Sequence, residues 1–328
     1  MNSTSTSFQS VLDALLSDRK DLPRRYLQEF SDIGPLELQT LLEVWPRVKP
    51  SRKLTLLAEL DALADADTLV SFDDFARALL TDPDPQVQIG AVRLLDECED
   101  LKLVPLYLDM LKSDPNVNVR LAAANALKLF VALGELEEIP KKIYHQVEDA
   151  LLASAASEDD ARVRRVALES LGYSSRPEVT TLIESAFHRE DPHWQASSLV
   201  AMGHSADDRW DEEVTRSLVN ENDRIRKAAV QAAGELSLKS ARPLLLKMLG
   251  EEEEETVLSA VIWSLSQIGG EDVRTYLENL LDVIEEDDEQ VAFLEEALDN
   301  LALTEDLDRF DLLSFDPADE LLEEEDDE

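Results

Sequence analysis

The 328 residues contain one cysteine, Cys98. That excludes an intramolecular disulfide and fits a cytoplasmic, reducing compartment. Glycine is scarce, at nine residues, and no alternating Val/Thr/Tyr-rich runs occur, which argues against sheets. Aromatic residues make up only 5% of the chain while hydrophobic residues reach 44%, a ratio that suits alanine- and leucine-rich helix pairs better than one large globular core. No apolar run approaches the ~20 residues of a membrane span, so no membrane association is expected. The opening M-N-S-T-S-T-S lacks the charge and apolar run of a signal peptide. P-loop, dinucleotide-binding, serine-elbow and zinc signatures are also missing, which removes the commonest routes to a named chemistry. Basic side chains are outnumbered, 31 against 72, leaving a net charge of −41. Such a field repels nucleic acid and attracts basic partners.

What the chain does have is a repeated stretch. Asp114–Leu127 reads D-P-N-V-N-V-R-L-A-A-A-N-A-L. Asp114-Pro115 reads as a helix start, with Asp as cap and Pro at the first helical position. Val119, Ala123, Ala126, Leu127 and Phe130 then follow helical spacing, so one face is buried. The alanines beside them admit a second helix at close range. Arg120 marks the register. Its counterparts are Gln88, Arg164, Gln195, Arg226 and Leu258, at separations of 32, 44, 31, 31 and 32 residues across the six. A period of this size means a solenoid or other repeat array. A partner helix recurs as well: V-P-L-Y-L-D-M-L at Val104–Leu111 matches R-P-L-L-L-K-M-L at Arg242–Leu249. Each unit is therefore read as two antiparallel helices.

These copies resemble HEAT repeats of the kind named after phycobilisome lyases, whose second helix carries D-P-x-V-R-x-x-A-x-x-A-L-G. The resemblance covers roughly residues 35–303. It implies an all-α, right-handed α–α superhelix of about eight antiparallel helix pairs. It says little about activity, because such repeats serve scaffolds, lyases, hydroxylases and DNA glycosylases alike. HEAT-like deoxyhypusine hydroxylases hold two irons on His-Glu dipeptides, and here His145, His188, His193 and His204 are followed by Gln, Arg, Trp and Ser. His193 and His204 sit at opposite ends of one helix, ~16 Å apart at the helical rise, too far to share a metal. The histidines read as surface residues, and no metal or cofactor is expected. A DNA glycosylase needs a basic concave face; Trp45, Trp194, Trp210 and Trp263 are available, but the charge is wrong for DNA. HEAT-like families also carry Asp/Arg ladders between repeats. This implies that Arg120, Arg164 and Arg226 pair with turn acids such as Asp114, Asp159 and Asp223.

The chain divides into residues 1–34, a polar segment with short helices; 35–303, the repeat array; and 304–328, an acidic tail expected to be disordered. Residues 1–60 balance eight basic against eight acidic side chains, whereas residues 250–328 hold two against thirty. Arg19, Lys20, Arg24 and Arg25 cluster near the start, most simply as a solvated cap face. The 44-residue interval places about twelve extra residues near Val131–Lys142, in a loop or a lengthened helix. Cys98 reads as a small buried apolar group on a repeat helix. In the tail, Leu312, Phe315 and Leu322 lie among acids and are candidate partner-binding residues; a mobile interaction segment and an intramolecular latch both fit. The expected function is a non-catalytic, monomeric scaffold that offers an extended surface to a protein partner. The alternative is an accessory enzyme of the bilin-lyase kind.

Overall fold

The computed structural model describes residues 8–17, 22–283 and 288–313. Every regular element among them is a helix. The chain forms two compact units, residues 1–179 and 180–328.

The first unit opens with α1 (Phe8–Leu16), and the second short helix expected from the sequence is a 3-10 helix, Arg24–Phe30. Helices α2 (Pro35–Val44) and α3 (Pro50–Ala66) follow, and then three packed pairs: α4 (Asp73–Leu79) with α5 (Pro85–Leu94), α6 (Leu103–Ser113) with α7 (Val117–Glu135), and α8 (Lys141–Ala155) with α9 (Ala161–Leu171). The second helices pack in sequence, α3 on α5, α5 on α7 and α7 on α9. Val87, Val119 and Val163, each one residue before the marker position, are fully buried, as are Phe75, Leu127 and Phe130.

The second unit begins within α10 (Pro177–Phe187) and holds α11 (Pro192–His204), α12 (Asp211–Ser217) with α13 (Asp223–Glu235), α14 (Arg242–Glu251) with α15 (Glu255–Ile268), and α16 (Glu271–Val283) with α17 (Asp288–Leu313). Its second helices stack in the same way, α11 on α13, α13 on α15 and α15 on α17. Here the spacing is set by glycine. A Cβ on Gly203 of α11 would lie 2.9 Å from the Ala232 Cα, and one on Gly234 of α13 would lie 2.9 Å from the Ser264 Cα. Side-chain hydroxyls tie neighbouring second helices in both units: Ser170 donates to the Ala124 carbonyl at 2.9 Å, and Ser264 to the Val230 carbonyl at 2.8 Å.

Several local expectations change. The extra residues near Val131–Lys142 lengthen helices rather than a loop: α7 runs on to Glu135, α8 begins at Lys141, and the turn between them is short. Glu137 closes that turn at φ 61°. Helix α7 spans 19 residues and is by length and composition apolar enough to cross a bilayer, although Asn118, Arg120, Asn125 and Lys128 interrupt its apolar run; half of it is buried inside the protein. Cys98 is in the turn after α5, half-buried, with Sγ 3.1 Å from the Asp73 carboxylate. Helix α17 continues past Leu303 to Leu313, so the boundary drawn there falls within a helix.

Candidate binding surface

The marker residues sit in a fixed polar frame. Four positions before the marker stands the helix cap: Asp84, Asn116, Asp160, Asp191 and Asn222 each accept the N–H two residues on, at 2.9–3.1 Å. The cap of α7 is thus Asn116, not Asp114. Asp114 sits two residues earlier and accepts the Asn116 N–H at 2.7 Å. Asp82, Asn220 and Glu252, likewise six before the marker, do the same for Asp84, Asn222 and Glu254.

Onto this frame the cations close rungs between successive pairs. Arg120 Nε donates to the Asp159 carboxylate at 2.8 Å while its Nη1 donates to the Asp114 carbonyl at 2.8 Å. The hydrogen bond to Asp159 holds the Arg120 guanidinium above its ordinary pKa, and Arg120 in turn holds the Asp159 carboxyl below the usual range. Arg226 grips Glu252 through Nε at 2.9 Å and Nη2 at 2.8 Å, and donates to the Asn220 carbonyl at 2.9 Å. Asp223 is therefore not the rung partner: it lies in the first turn of the helix that carries Arg226, and Glu252 of the next pair takes the guanidinium. Arg164 donates to the Ala155 carbonyl at 3.2 Å. Sequence reasoning missed the first rung, Lys53 to Asp82. Lys53 Nζ and Trp45 Nε1 reach the same Asp82 oxygen at 3.0 and 2.7 Å, with Lys53 4.8 Å from the Trp45 ring centroid. Burial pushes the Asp82 carboxyl up, but the Asp84 amide, Lys53 and Trp45 together bring it below its usual range. The signal was a cation at the start of α3: Lys53 lies 35 residues before Gln88, close to the repeat spacing.

A second polar cluster occupies the lengthened region. Glu148 is fully buried; it accepts from Ser174 Oγ at 2.6 Å and meets His145 Nδ1 at 2.9 Å. Tyr144, flat on Gly134, donates to Glu135 at 2.6 Å. Burial, with the Glu135 carboxylate beside it, pushes the Tyr144 hydroxyl well up. Glu148 was legible too: it falls between Tyr144, Val147 and Leu151 on the buried stripe of α8. His188 bonds its own helix at the Glu184 carbonyl, and His204 lies 3.8 Å from Glu235. Among the described residues no group of three or more His, Cys, Asp and Glu is placed to hold a metal. Leu312 is in the last turn of α17; its side chain, with Phe315 and Leu322, lies outside the described residues.

Polar groups in the frame bond to one another, so a binding surface must be sought on the outward column of the second helices, at one, five and nine residues after each marker. In the second unit this column forms a groove of about 320 Å³ whose lining includes Lys227, Gln231 and Glu235 of α13, Trp263 and Gln267 of α15, and Phe293 of α17. Trp45, Trp194 and Trp210 are buried, whereas Trp263 is half-exposed. Its ring stacks on Phe293, centroids 6.5 Å apart and planes at 30°.

Comparison with known proteins agrees with this architecture. HEAT repeats are recognised over residues 73–141 and 212–299. No curated protein matches in sequence. The complex of CpcE and CpcF of phycocyanin lyase from Nostoc is similar in fold, at TM-score 0.51 and 15% identity over 87% of this chain and 97% of that one. Kap121p bound to Pho4p is matched at TM-score 0.44 and 15% identity over 91% of this chain and 38% of that one. Human deoxyhypusine hydroxylase is matched at TM-score 0.34 and 15% identity over 80% and 95%. At these identities the likeness shows the fold alone; the HEAT repeats matched at 73–141 and 212–299, the recurring caps and the stacked second helices agree on a HEAT-type helical repeat architecture.

Proposed function

We propose that this chain is a non-catalytic scaffold that binds a protein partner carrying a basic face. One observation carries the reading: Lys53, Arg120 and Arg226 are bonded to acids of the next pair as inter-repeat rungs, while the outward column changes from copy to copy. Fixed internal bonds with a variable outer column are what a recognition surface built on a uniform frame requires. The sign of the partner follows from charge. Residues 180–328 hold 41 acidic and 11 basic side chains, and a surface so charged speeds encounter with a basic partner and repels acidic ones.

The test is affinity capture with the full chain at low and at physiological salt. The expected captured set is basic and is released by salt, and loss of that bias would remove the charge argument. Incubation with a free bilin and an acceptor protein tests the lyase alternative: formation of a covalent coloured adduct would overturn the non-catalytic reading.

A further inference from the structure

The groove over α13, α15 and α17 combines three kinds of group. Trp263 offers part of a large ring that stacks on Phe293, which lines the groove beside it. Gln231 is exposed and Gln267 half-exposed, five and nine residues after their markers. A primary amide both donates and accepts, so it can match a peptide main chain, which a carboxylate cannot. Charge is then placed along one helix: Lys227 at one end and Glu235 at the other, two turns and ~12 Å apart at the helical rise.

We infer that this groove binds an extended peptide segment carrying arginine, with the guanidinium against Trp263 and toward Glu235 and the main chain across Gln231 and Gln267. Guanidinium groups are favoured on aromatic faces, and the planar fork matches a carboxylate better than an ammonium does. Other occupants fit less well. An acidic or phosphorylated peptide would meet only Lys227 against a unit of 41 acidic and 11 basic residues. A second copy of this chain would bring another −41 to the same face. A purely apolar segment would find only Trp263, Phe293 and Ala260 as apolar lining. The inference rests on the scaffold reading and deepens it by naming the partner's chemistry.

The test uses the full chain and a fluorescent synthetic peptide of alternating glycine and arginine, with a glycine–glutamate peptide of equal length as control. Binding is read by anisotropy, and circular dichroism confirms that each variant stays folded. Trp263→Ala should weaken arginine-peptide binding about tenfold, with part of the loss restored by Trp263→Phe. Glu235→Gln, an exposed substitution, should weaken it about fivefold and reduce its salt dependence. Glu212→Gln removes the same charge from α12, outside the groove, and should change it less than about twofold. If the wild type binds but Trp263→Ala and Glu235→Gln do not alter affinity, diffuse charge holds the peptide: the groove inference fails and the scaffold reading stands. If the wild type binds no arginine peptide even at low salt, both fail. Equal binding of the glycine–glutamate peptide, or a dimer by light scattering that Trp263→Ala dissociates, would also overturn the inference.

Discussion

The Arg120 and Arg226 rungs do at residue scale what one hydrogen bond cannot, because each marker cation bonds its own turn and the acid of the next pair together. Arg120→Ala removes both, and should destabilise the protein by about 1–3 kcal/mol, read as a lowered denaturation midpoint. Combined with Asp159→Asn in a double-mutant cycle, the two should show a coupling of about 0.5–3 kcal/mol; strict additivity would mean that the rung contributes nothing as a pair. The pH dependence has a definite sign. Asp159 and Glu252 are held below the usual carboxylate range by the hydrogen bonds from Arg120 and Arg226. A depressed carboxyl contributes stability above its unfolded pKa of ~4, and loses it as pH falls through the lower folded value. Acid titration of Asp159→Asn should therefore show a shallower loss of stability below pH ~4 than the wild type does. Glu148 is the more demanding case, since its burial is complete. Glu148→Ala strands Ser174 and His145 around an unfilled space and should cost about 3 kcal/mol.

For the helices as elements, closeness is decided by two glycines that propensity alone would replace. An alanine in a helix interior is worth up to ~1 kcal/mol over glycine. At Gly234 the added Cβ would meet the Ser264 Cα at 2.9 Å and its Oγ at 2.8 Å, and backbone cannot give way cheaply. Gly234→Ala should thus destabilise by about 1–3 kcal/mol despite better propensity, and a thermal melt gives the sign directly. The opposite holds just past the helix ends. Ala206 and Ser237 both adopt φ 48°, a left-handed conformation that glycine takes without a Cβ penalty. Ser237→Gly should stabilise the second unit by up to about 1 kcal/mol; an unchanged or lowered melting temperature would count against that account.

Over the whole molecule the governing quantity is where the charge sits. Arg274 bonds Glu305 at 2.7 Å, so residues just beyond Leu303 belong to the packed helix pair. A cut that leaves this pair intact falls after Leu313. Deleting 314–328 removes nine acidic residues and no basic one. That deletion should slow association with the glycine–arginine peptide and flatten its salt dependence, because exposed charges act over the ~8–10 Å screening length. The helical circular dichroism of the remainder should persist. Faster association, or new self-association, would instead identify the segment as a cover over an apolar surface.

The helical class, the pair-by-pair organisation and the use of arginine as a marker could all be read from Arg120 and its counterparts, because periodicity and short-range capping are properties of contiguous sequence. Other features depended on residues far apart along the chain. Glu252 rather than Asp223 receives Arg226, since a rung closes onto the next pair and 26 residues intervene. The role of Gly203 and Gly234 appears only when the neighbouring helix is in place. Trp263 could not be told from the three buried tryptophans by spacing, because an outward and an inward position on one helix differ only in what packs against them. Local sequence thus determined the repeats, whereas contact between repeats decided the rungs, the helix spacing and the groove.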